Sequence, residues 1–408
     1  MIMSGVFLTE CWILPNISYL NITVFILHLE SKGFFKLLTY FSAKSKCLLL
    51  AFLLIICFST SVFSKNFTLS KIASLSKPWG MSFIGDEEVI VTERTGKIKL
   101  INLKNGAVSE VTHNLNYKTI GQGGLLDIIF KDGYIWVSYT QKIGIFRYGT
   151  SIAKGKFNRK EINFINIFQQ NSANNSGQHF GGRLLIEGKY LFLTVGERGL
   201  GRVAQDPKKH PGSIIRIHLD GSIPSDNPHF VSNSDWGPEV FQIGVRNPQG
   251  MTISPNDEKI FISNHGAKGG DWIGEIEKGG NFGWDVLGWG GVNYDGSQIG
   301  PKWKEGFSKP LKYWTPSIGV SALAVYNGPE FMEWNNNILV ASLKDKSLRL
   351  LSNLNSNNIL EEIIFVGLID RIRDIEIEQN TGKIFLLTEK YFSETGPEED
   401  GLWILEKK

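Results

Sequence analysis

The stretch Gln178-His179-Phe180-Gly181-Gly182-Arg183 runs directly into the apolar residues Leu184-Leu185-Ile186. A glycine pair therefore opens a short apolar strand, and a histidine stands just before it. Glycines let the backbone turn tightly and approach a ligand closely, and the end of a strand is a rigid place to mount a base. A lone histidine here is equally compatible with a hydrogen-bonded structural role, so the remaining motifs must decide between the two interpretations.

The same turn-and-strand pattern recurs along the rest of the chain. Each unit has a glycine-marked or small turn, a short apolar strand and further β-branched or aromatic strands. Six such units begin near Trp79, Gly124, Gly182, Gln249, Ser321 and Arg373. Repeats of roughly 45–70 residues without a sustained helical period are typical of a propeller. We therefore predict an all-β fold, a six-bladed β-propeller with four-stranded antiparallel blades; a pair of stacked β-sandwiches is the alternative.

Ring closure and the long loops follow from the same pattern. The strand-like segment 66–72 precedes the first unit, and we expect it to complete the last blade and so close the ring. Three long polar segments, residues 157–178, 224–238 and 279–316, are expected to be ordered loops over one face. Loops on a rigid scaffold commonly carry binding function.

Residues 44–64 have the features of a secretory signal peptide. Lys44 and Lys46 precede an apolar core at residues 47–58, and Val62-Phe63-Ser64 resembles a small-x-small cleavage site. The apolar core is short for a membrane span, although an uncleaved anchor helix is the competing interpretation. The segment therefore predicts an exported protein, periplasmic or secreted.

Residues 1–43 precede this signal and are expected to be an upstream extension without a domain of its own. The predicted propeller domain, residues 65–408, has no cysteine, because Cys11, Cys47 and Cys57 all lie upstream. A disulfide framework and a cysteine metal site are thus excluded from the domain. The net charge of +3 and the lack of a long basic run argue against a nucleic-acid partner, and we expect no membrane contact by the mature domain.

Polar and cationic residues recur at the turns that open the predicted blades. Gln122 lies between glycines, and its amide can both donate and accept hydrogen bonds. Arg246 and Asn247 lie just before the first strand of the fourth predicted blade. His179 has the same position relative to the third blade. In a propeller these positions converge on the axis, so an imidazole base, amides and cations would surround one anionic ligand.

Two later motifs extend this set. Arg371 and Arg373 are two residues apart on a strand and face one side, where a ligand with carboxylates would relieve their mutual repulsion. The glycine-rich turn 266–271 can aim backbone carbonyls at a hard cation such as calcium. A solvated charged edge and a simple interblade turn are the alternative interpretations of these two motifs.

Four motifs resemble, in order and flanking residues, those of the soluble pyrroloquinoline-quinone-dependent (PQQ) aldose sugar dehydrogenases, the glucose/sorbosone dehydrogenase family. They span residues 178–183, 244–250, 265–271 and 371–374. The resemblance runs from about Pro78 to Leu405. It implies a six-bladed propeller that binds PQQ and calcium and oxidises aldose sugars at C1 to lactones. It also implies an electron acceptor that the sequence does not identify.

The resemblance implies a role for each site residue. His179 would be the general base for the sugar C1 hydroxyl, and Arg246 would stabilise charge that develops on that oxygen. The backbone carbonyls of Gly266 and Ala267 would bind calcium. The cofactor would be held by Gln122, Asn247, Lys344, Arg371 and Arg373. The residues expected near the sugar are Trp314 and Tyr313.

Three positions depart from the family pattern. Ala267 stands where proline is usual, and a carbonyl ligand survives that change. Trp272 replaces an acidic residue that helps to bind a second calcium, although Glu275 is nearby. Glu197 occupies a turn position where some relatives have aspartate, and we expect it to orient His179.

Two other functions are compatible with the same fold. One is a non-catalytic propeller that binds a glycan or a protein through the same face, and such a protein would not need the base. The other is a calcium-dependent lactonase, which needs a metal held mostly by carboxylate and asparagine side chains. The cation-rich set predicted here disfavours both.

Overall fold

The computed structural model describes residues 66–232, 235–356, 358–390 and 400–408. The predicted upstream extension and signal peptide lie outside the described residues. Within the described ranges the helical elements are single turns at Pro228–Val231, Gly201–Gln205 and Met332–Trp334. None of these helices is long and apolar enough to cross a membrane.

Within the same ranges, β-strands account for nearly all regular structure. The first ten are β1 (Phe67–Ser74), β2 (Pro78–Ile84), β3 (Glu88–Glu93), β4 (Lys97–Asn102), β5 (Val108–His113), β6 (Leu125–Lys131), β7 (Tyr134–Gly144), β8 (Arg147–Lys156), β9 (Glu161–Ile162) and β10 (Phe164–Gln169). The next eight are β11 (Gly181–Glu187), β12 (Tyr190–Val195), β13 (Ser213–His218), β14 (Val240–Ile243), β15 (Pro248–Ile253), β16 (Ile260–Asn264), β17 (Asp271–Glu275) and β18 (Lys312–Trp314). The last seven are β19 (Val320–Val325), β20 (Ile338–Ser342), β21 (Ser347–Ser352), β22 (Leu360–Val366), β23 (Arg371–Ile377), β24 (Ile384–Glu389) and β25 (Gly401–Lys407).

These strands form six sheets, which are the blades of a propeller. Blade 1 contains β2 to β5, blade 2 contains β6, β7, β8 and β10, and blade 3 contains β11 to β14. Blade 4 contains β15 to β18, blade 5 contains β19 to β22, and blade 6 contains β23 to β25 with β1. The first strands contact one another in a closed ring, in the order β2, β6, β11, β15, β19, β23 and again β2. The predicted six-bladed propeller is confirmed, and the stacked sandwiches are excluded.

The two ends of the described domain meet in blade 6. Strand β1 pairs antiparallel with β25, from Phe67 opposite Lys407 to Ser74 opposite Gly401. The expectation that the segment 66–72 completes the last blade is therefore confirmed. Leu405 of β25 is fully buried in the core that blades 5 and 6 share. The strand that β1 pairs with therefore also contributes to the apolar interface between these two blades.

Each of the six first strands has an irregular register near its start. The pairing shifts by a residue or more after Pro78, Leu125, Gly181, Pro248, Val320 and Ile372. A bulge bends the strand and re-aims the side chains beside it. The shifts fall at the same end of every blade, beside the segments that carry Gln122, His179, Arg246 and Asn247.

The segment 157–178 differs from the expectation of a loop, because it contains β9 and β10. Strand β10 is the outer strand of blade 2, and β9 adds a fifth strand to blade 1, parallel to β5. In β10, Phe164 and Phe168 are buried whereas Ile165 is exposed. A register shift between Asn166 and Phe168 interrupts the alternation, and this interruption hid the strand in the sequence.

A charged cluster lies where the first strands pass the axis. Arg183 Nη1 lies 3.0 Å from Asp127 Oδ1 and 2.7 Å from Asp374 Oδ1. Burial raises the pKa of Asp374 to about 7, and burial together with the two aspartates raises the pKa of Glu376 well above its usual range. The four side chains line a cavity of about 390 Å³ that also contacts the far ends of the first strands.

We expect Leu405→Ala to lower the free energy of unfolding by about 2–5 kcal/mol, because a fully buried leucine leaves a cavity in the closing blade. Denaturant unfolding of the folded domain measures this loss. Leu360→Ala is the control, since Leu360 is 50% exposed in β22, and its effect should stay within about 0.5–1 kcal/mol. Equal losses in the two variants would contradict the role given to β25.

The axial carboxyls predict a pH dependence of stability. The folded protein keeps protons on Asp374 and Glu376 that the unfolded chain releases near the ordinary pKa values of 3.8 and 4.5. The contribution of these two carboxyls to the free energy of unfolding should therefore fall as the pH rises from about 4 towards 7. Glu376→Gln mimics the protonated acid, so its unfolding free energy should fall less between about pH 5 and 8.

Chemical denaturation at several pH values measures both slopes, and the exposed Glu362→Gln serves as the matched control. A Glu376→Gln slope equal to that of the parent would show that the Glu376 proton has no part in the effect.

Candidate active site

The turns that open the blades surround a second cavity, of about 580 Å³, at the other end of the axis. A volume of this size is ordinary for a small-molecule site. Four predicted cofactor ligands line it: Gln122, Asn247, Arg371 and Arg373. The lining contains one carboxylate, Glu389, and five basic residues, Lys77, Arg94, Arg371, Arg373 and Lys390. An excess of positive charge in a partly enclosed cavity favours an anionic ligand.

His179 stands between two lining residues, Gln178 and Phe180, and is 8% exposed. Its Nδ1 atom is in close contact with Oε1 of Glu197, whose other oxygen accepts the backbone N–H of Gly201 at 2.6 Å. Burial lowers the pKa of the imidazole, against the opposing effect of Glu197. The neutral imidazole is therefore the dominant form at pH 7, with one ring nitrogen held and the other able to accept a proton.

The backbone around His179 is fixed from both sides. His179 has φ of 50°, in the left-handed region that costs a non-glycine residue about 1–2 kcal/mol. Its N–H donates to Oε1 of Gln122 at 2.8 Å, and Arg198 donates to the carbonyls of Gln178 and Ser176. The guanidinium of Arg198 also stacks 3.4 Å from the ring centroid of Phe180. These contacts hold the imidazole in one orientation.

Arg246 lies at the same end of the axis as His179. Its carbonyl accepts the N–H of Glu197 at 2.8 Å, so one glutamate bonds to both residues. The N–H of Arg246 donates to Oδ1 of Asn264 at 3.0 Å, and its guanidinium lies 5.4 Å from the ring centroid of Trp284. Burial lowers the pKa of Arg246, and the positive charge of Arg246 in turn helps to lower the pKa of His179.

A hydrogen-bond network joins predicted cofactor ligands to residues of three blades. Asn247 Oδ1 accepts the N–H of Gly181 at 3.1 Å and Nε2 of Gln249 at 3.2 Å. Gln249 Oε1 accepts Nη1 of Arg373 at 2.8 Å, and Nη2 of Arg373 is in close contact with Glu389. Arg373 is therefore held on both arms of its guanidinium before any ligand binds. Burial lowers its pKa, although Glu389 opposes that shift.

The predicted calcium turn is also tightly held. Both oxygens of the buried Asp271 carboxylate are used: Oδ1 accepts the N–H of Gly266 at 2.8 Å, and Oδ2 accepts the N–H of Gly319 at 2.7 Å. The carbonyl of Ala267 accepts the hydroxyl of Ser317 at 3.2 Å. A carbonyl oxygen has two lone pairs, so this bond leaves capacity for a cation.

Seven predicted site residues are not in the cavity lining. His179, Arg246, Gly266 and Ala267 are each next in sequence to a lining residue or one residue further away, whereas the side chains of Lys344, Trp314 and Tyr313 have other partners. Lys344 directs its ammonium group to the carbonyl of Ser317 at 3.0 Å, while its neighbour Leu343 lines the cavity. Trp314 belongs to the core of blades 4 and 5, and its indole N–H donates to Glu361 at 2.8 Å. The ring of Tyr313 lies under Lys302, with 4.6 Å between the ammonium nitrogen and the ring centroid. The sugar contact expected of these two aromatic residues receives no support from this geometry.

The structure adds residues that sequence reasoning missed. Trp79, Arg94, Gln249, His265 and Glu389 all line the cavity. Gln249 and His265 lie inside the motifs singled out above, so their position was a usable signal. Glu389 ends β24 without any distinctive pattern around it, and only the fold brings it to Arg373. Burial lowers the pKa of His265 to about 4, so this second imidazole is neutral.

Comparison with known proteins agrees with this geometry. A profile of the family described as Glucose / Sorbosone dehydrogenase matches residues 75–395. Aldose sugar dehydrogenase YliI of Escherichia coli (strain K12) is 32% identical over 354 residues, which cover 82% of this chain and 94% of that protein. Quinoprotein glucose dehydrogenase B of Acinetobacter calcoaceticus is 28% identical over 322 residues, which cover 69% of this chain and 65% of that protein.

A solved structure shows the same architecture. The crystal structure of the soluble aldose sugar dehydrogenase from Escherichia coli in the apo-form has a TM-score of 0.77 and 30% identity, and the match covers 84% of this chain and 100% of that chain. The family profile covers most of the described domain, and the solved structure shares its fold. This chain therefore belongs to the Glucose / Sorbosone dehydrogenase family.

Proposed function

We propose that this protein is a PQQ- and calcium-dependent oxidoreductase that oxidises aldose sugars at C1 to lactones. The observation that carries the proposal is the buried His179, held by Glu197 beside Arg246 at the edge of a cation-rich cavity. The similarity to an aldose sugar dehydrogenase and to a quinoprotein glucose dehydrogenase supports this substrate class and cofactor.

The residues present fit a flat polyanionic cofactor. Among the described residues, Nε2 of His265 and Nε of Arg373 are buried without a hydrogen-bond partner. Buried polar atoms seldom stay unpaired, so a ligand with acceptor atoms would satisfy them. Gln122, Asn247 and Arg371 would complete the set that holds the carboxylates and quinone oxygens, and Lys344 would contribute after a change of rotamer.

Calcium fits the turn at Gly266 and Ala267. The described residues contain no group of three or more histidine, cysteine, aspartate or glutamate side chains arranged to hold a metal. A cation in the cavity would therefore depend on backbone carbonyls and on oxygen atoms of the cofactor, which are suitable ligands for calcium. When bound, the cofactor and calcium supply a polarised quinone that accepts hydride from C1.

The side chains then perform the proton chemistry. With Nδ1–H directed to Glu197, Nε2 of His179 can accept the proton of the C1 hydroxyl. Glu197 stabilises the imidazolium that results, and burial of the pair keeps water away from it. Arg246 supplies a fixed positive charge for the developing negative charge on the sugar oxygen. The contacts of the three residues support this proposed division of roles.

We also propose that the domain works outside the cytoplasm, with a small-molecule aldose as substrate and a separate electron acceptor. The support is the signal-like segment 44–64 and the absence of cysteine from residues 65–408. A fusion of the first 64 residues to a reporter that is active only after export would test the signal directly. A reporter retained in the cytoplasm would overturn this part of the proposal.

We expect His179→Ala to lower the turnover of aldoses by about 10²–10⁴-fold, because a general base is lost. Dye reduction by the PQQ- and calcium-loaded protein measures turnover, and absorbance titration of PQQ measures binding, which should be largely retained. His218→Ala is the matched control, since this imidazole stacks on Tyr190 in blade 3, away from the cavity. Unchanged turnover in His179→Ala would place the base elsewhere.

Glu197→Gln tests the orientation of the base. The carboxylate of Glu197 raises the pKa of His179 against the effect of burial, so removing its charge should lower that pKa further. An NMR titration of the imidazole of His179 measures the shift, and the acid limb of the rate profile should move to lower pH with it. Glu239→Gln, which removes the partner of His210, should leave His179 unchanged. A rise in the pKa of His179 would reverse the assigned role.

A further inference from the structure

Blade 2 carries a hairpin that is longer than the other blade hairpins. Strands β7 and β8 have 11 and 10 residues, whereas most strands of the domain have five to eight. The turn that joins them exposes two large apolar side chains, Ile145 at 83% and Phe146 at 72%. At about 3.4 Å per residue, the five residues from Thr140 to this turn extend the hairpin about 17 Å.

The hairpin rises from the wall of the cavity. At its base, the N–H of Lys118 donates to the carbonyl of Thr140 at 2.9 Å, and the N–H of Tyr148 donates to the carbonyl of Asn174 at 2.7 Å. The chain segments that contain Lys118 and Asn174 continue into cavity-lining residues, Gln122 and Gln178 among them. The exposed turn therefore stands beside the cavity mouth rather than at the far end of the axis.

The surface of this sector is basic. Lys142 and Arg147 flank the apolar turn, Lys118 lies at its base, and all three are exposed. The segments that build the sector, residues 114–126, 134–160 and 163–186, contain no aspartate or glutamate. We call the group Lys118, Lys142, Ile145, Phe146 and Arg147 the mouth patch. The patch has a small apolar centre, and the charged residues around that centre are all basic.

We propose that the mouth patch docks an acidic one-electron redox protein, which takes electrons from the reduced cofactor. The inference rests on the proposed function, because oxidation of each sugar leaves two electrons in the cavity. Two acceptor molecules would each take one electron in turn, and two protons would leave to solvent, which returns the cofactor to its oxidised form.

The form of the patch favours this partner. Redox encounters bury less than about 1,200 Å² in total, and complementary charge mainly raises their association rate. A convex apolar tip with basic neighbours suits such a brief contact. An anionic lipid surface would meet the same charges, but a hairpin tip inserted in lipid would not require the cavity mouth beside it.

The test compares two acceptor proteins of opposite charge: succinylated cytochrome c, which is acidic, and native cytochrome c, which is basic. Wild-type PQQ- and calcium-loaded enzyme with glucose should reduce the acidic form at least about tenfold faster at low salt, and added salt should diminish the difference. The double variant Lys142→Glu/Arg147→Glu should lose the preference. Reduction of a small neutral dye should be unchanged in the variant.

The matched control is Lys156→Glu/Lys160→Glu, which makes the same change of charge at the opposite end of blade 2, where both lysines are exposed. This control should keep the preference for succinylated cytochrome c. Equal rates for the two cytochromes, or loss of preference in the control as well, would overturn the docking proposal. The proposal would also fall if phosphatidylglycerol vesicles bound the wild type through Ile145 and Phe146 while no cytochrome preference was seen.

The two proposals fail in different ways. Without dye reduction by the wild-type enzyme, the proposed dehydrogenase function fails and the docking proposal falls with it. With dye reduction but without a charge-dependent cytochrome preference, only the docking proposal fails.

Discussion

The antiparallel pairing of β1 with β25 is the constraint on which the rest of the structure depends. It joins a strand from the start of the domain to three strands from its end. Without it, β25 would lose its outer partner and blade 6 would keep only three strands. The cavity takes Trp79 and Arg94 from blade 1 and Arg371 and Arg373 from blade 6. Ring closure is therefore also what assembles the cation-rich cavity.

The axis is polar where most protein interiors are apolar. Nε of Arg183 donates to the carbonyl of Gln249 at 2.9 Å, while its Nη1 contacts two aspartates. Gln249 in turn binds Arg373. Burial of so many charges is costly unless each is paired, and here the pairing runs from one cavity to the other. The floor of the candidate site and the charged cluster below it thus form one connected network.

The fold was largely readable in the sequence, because glycine-marked turns and short apolar strands repeat six times. Strand β10 was not predicted, because a bulge between Asn166 and Phe168 interrupts its alternation of buried and exposed residues. At the site, His179, Arg246 and Asn247 were found because they stand beside glycines at strand starts. Glu389 was not, because its only distinguishing feature is a contact with Arg373 from a neighbouring strand. Trp314 does not line this cavity, and its indole packs in the core of blades 4 and 5; the sequence pattern does not distinguish a strand-edge indole that packs inward from one that faces a ligand.

The turn before β13 shows how narrow the local choice of residues is. A Cβ atom on Gly196 would lie 2.1 Å from the carbonyl oxygen of His179 and 3.0 Å from Oδ1 of Asn247. Any side chain there would collide with the backbone of His179 and crowd the amide of Asn247. For directed evolution of substrate range, position 196 is thus closed to variation, and useful diversity has to come from the loop segments that can move without disturbing it.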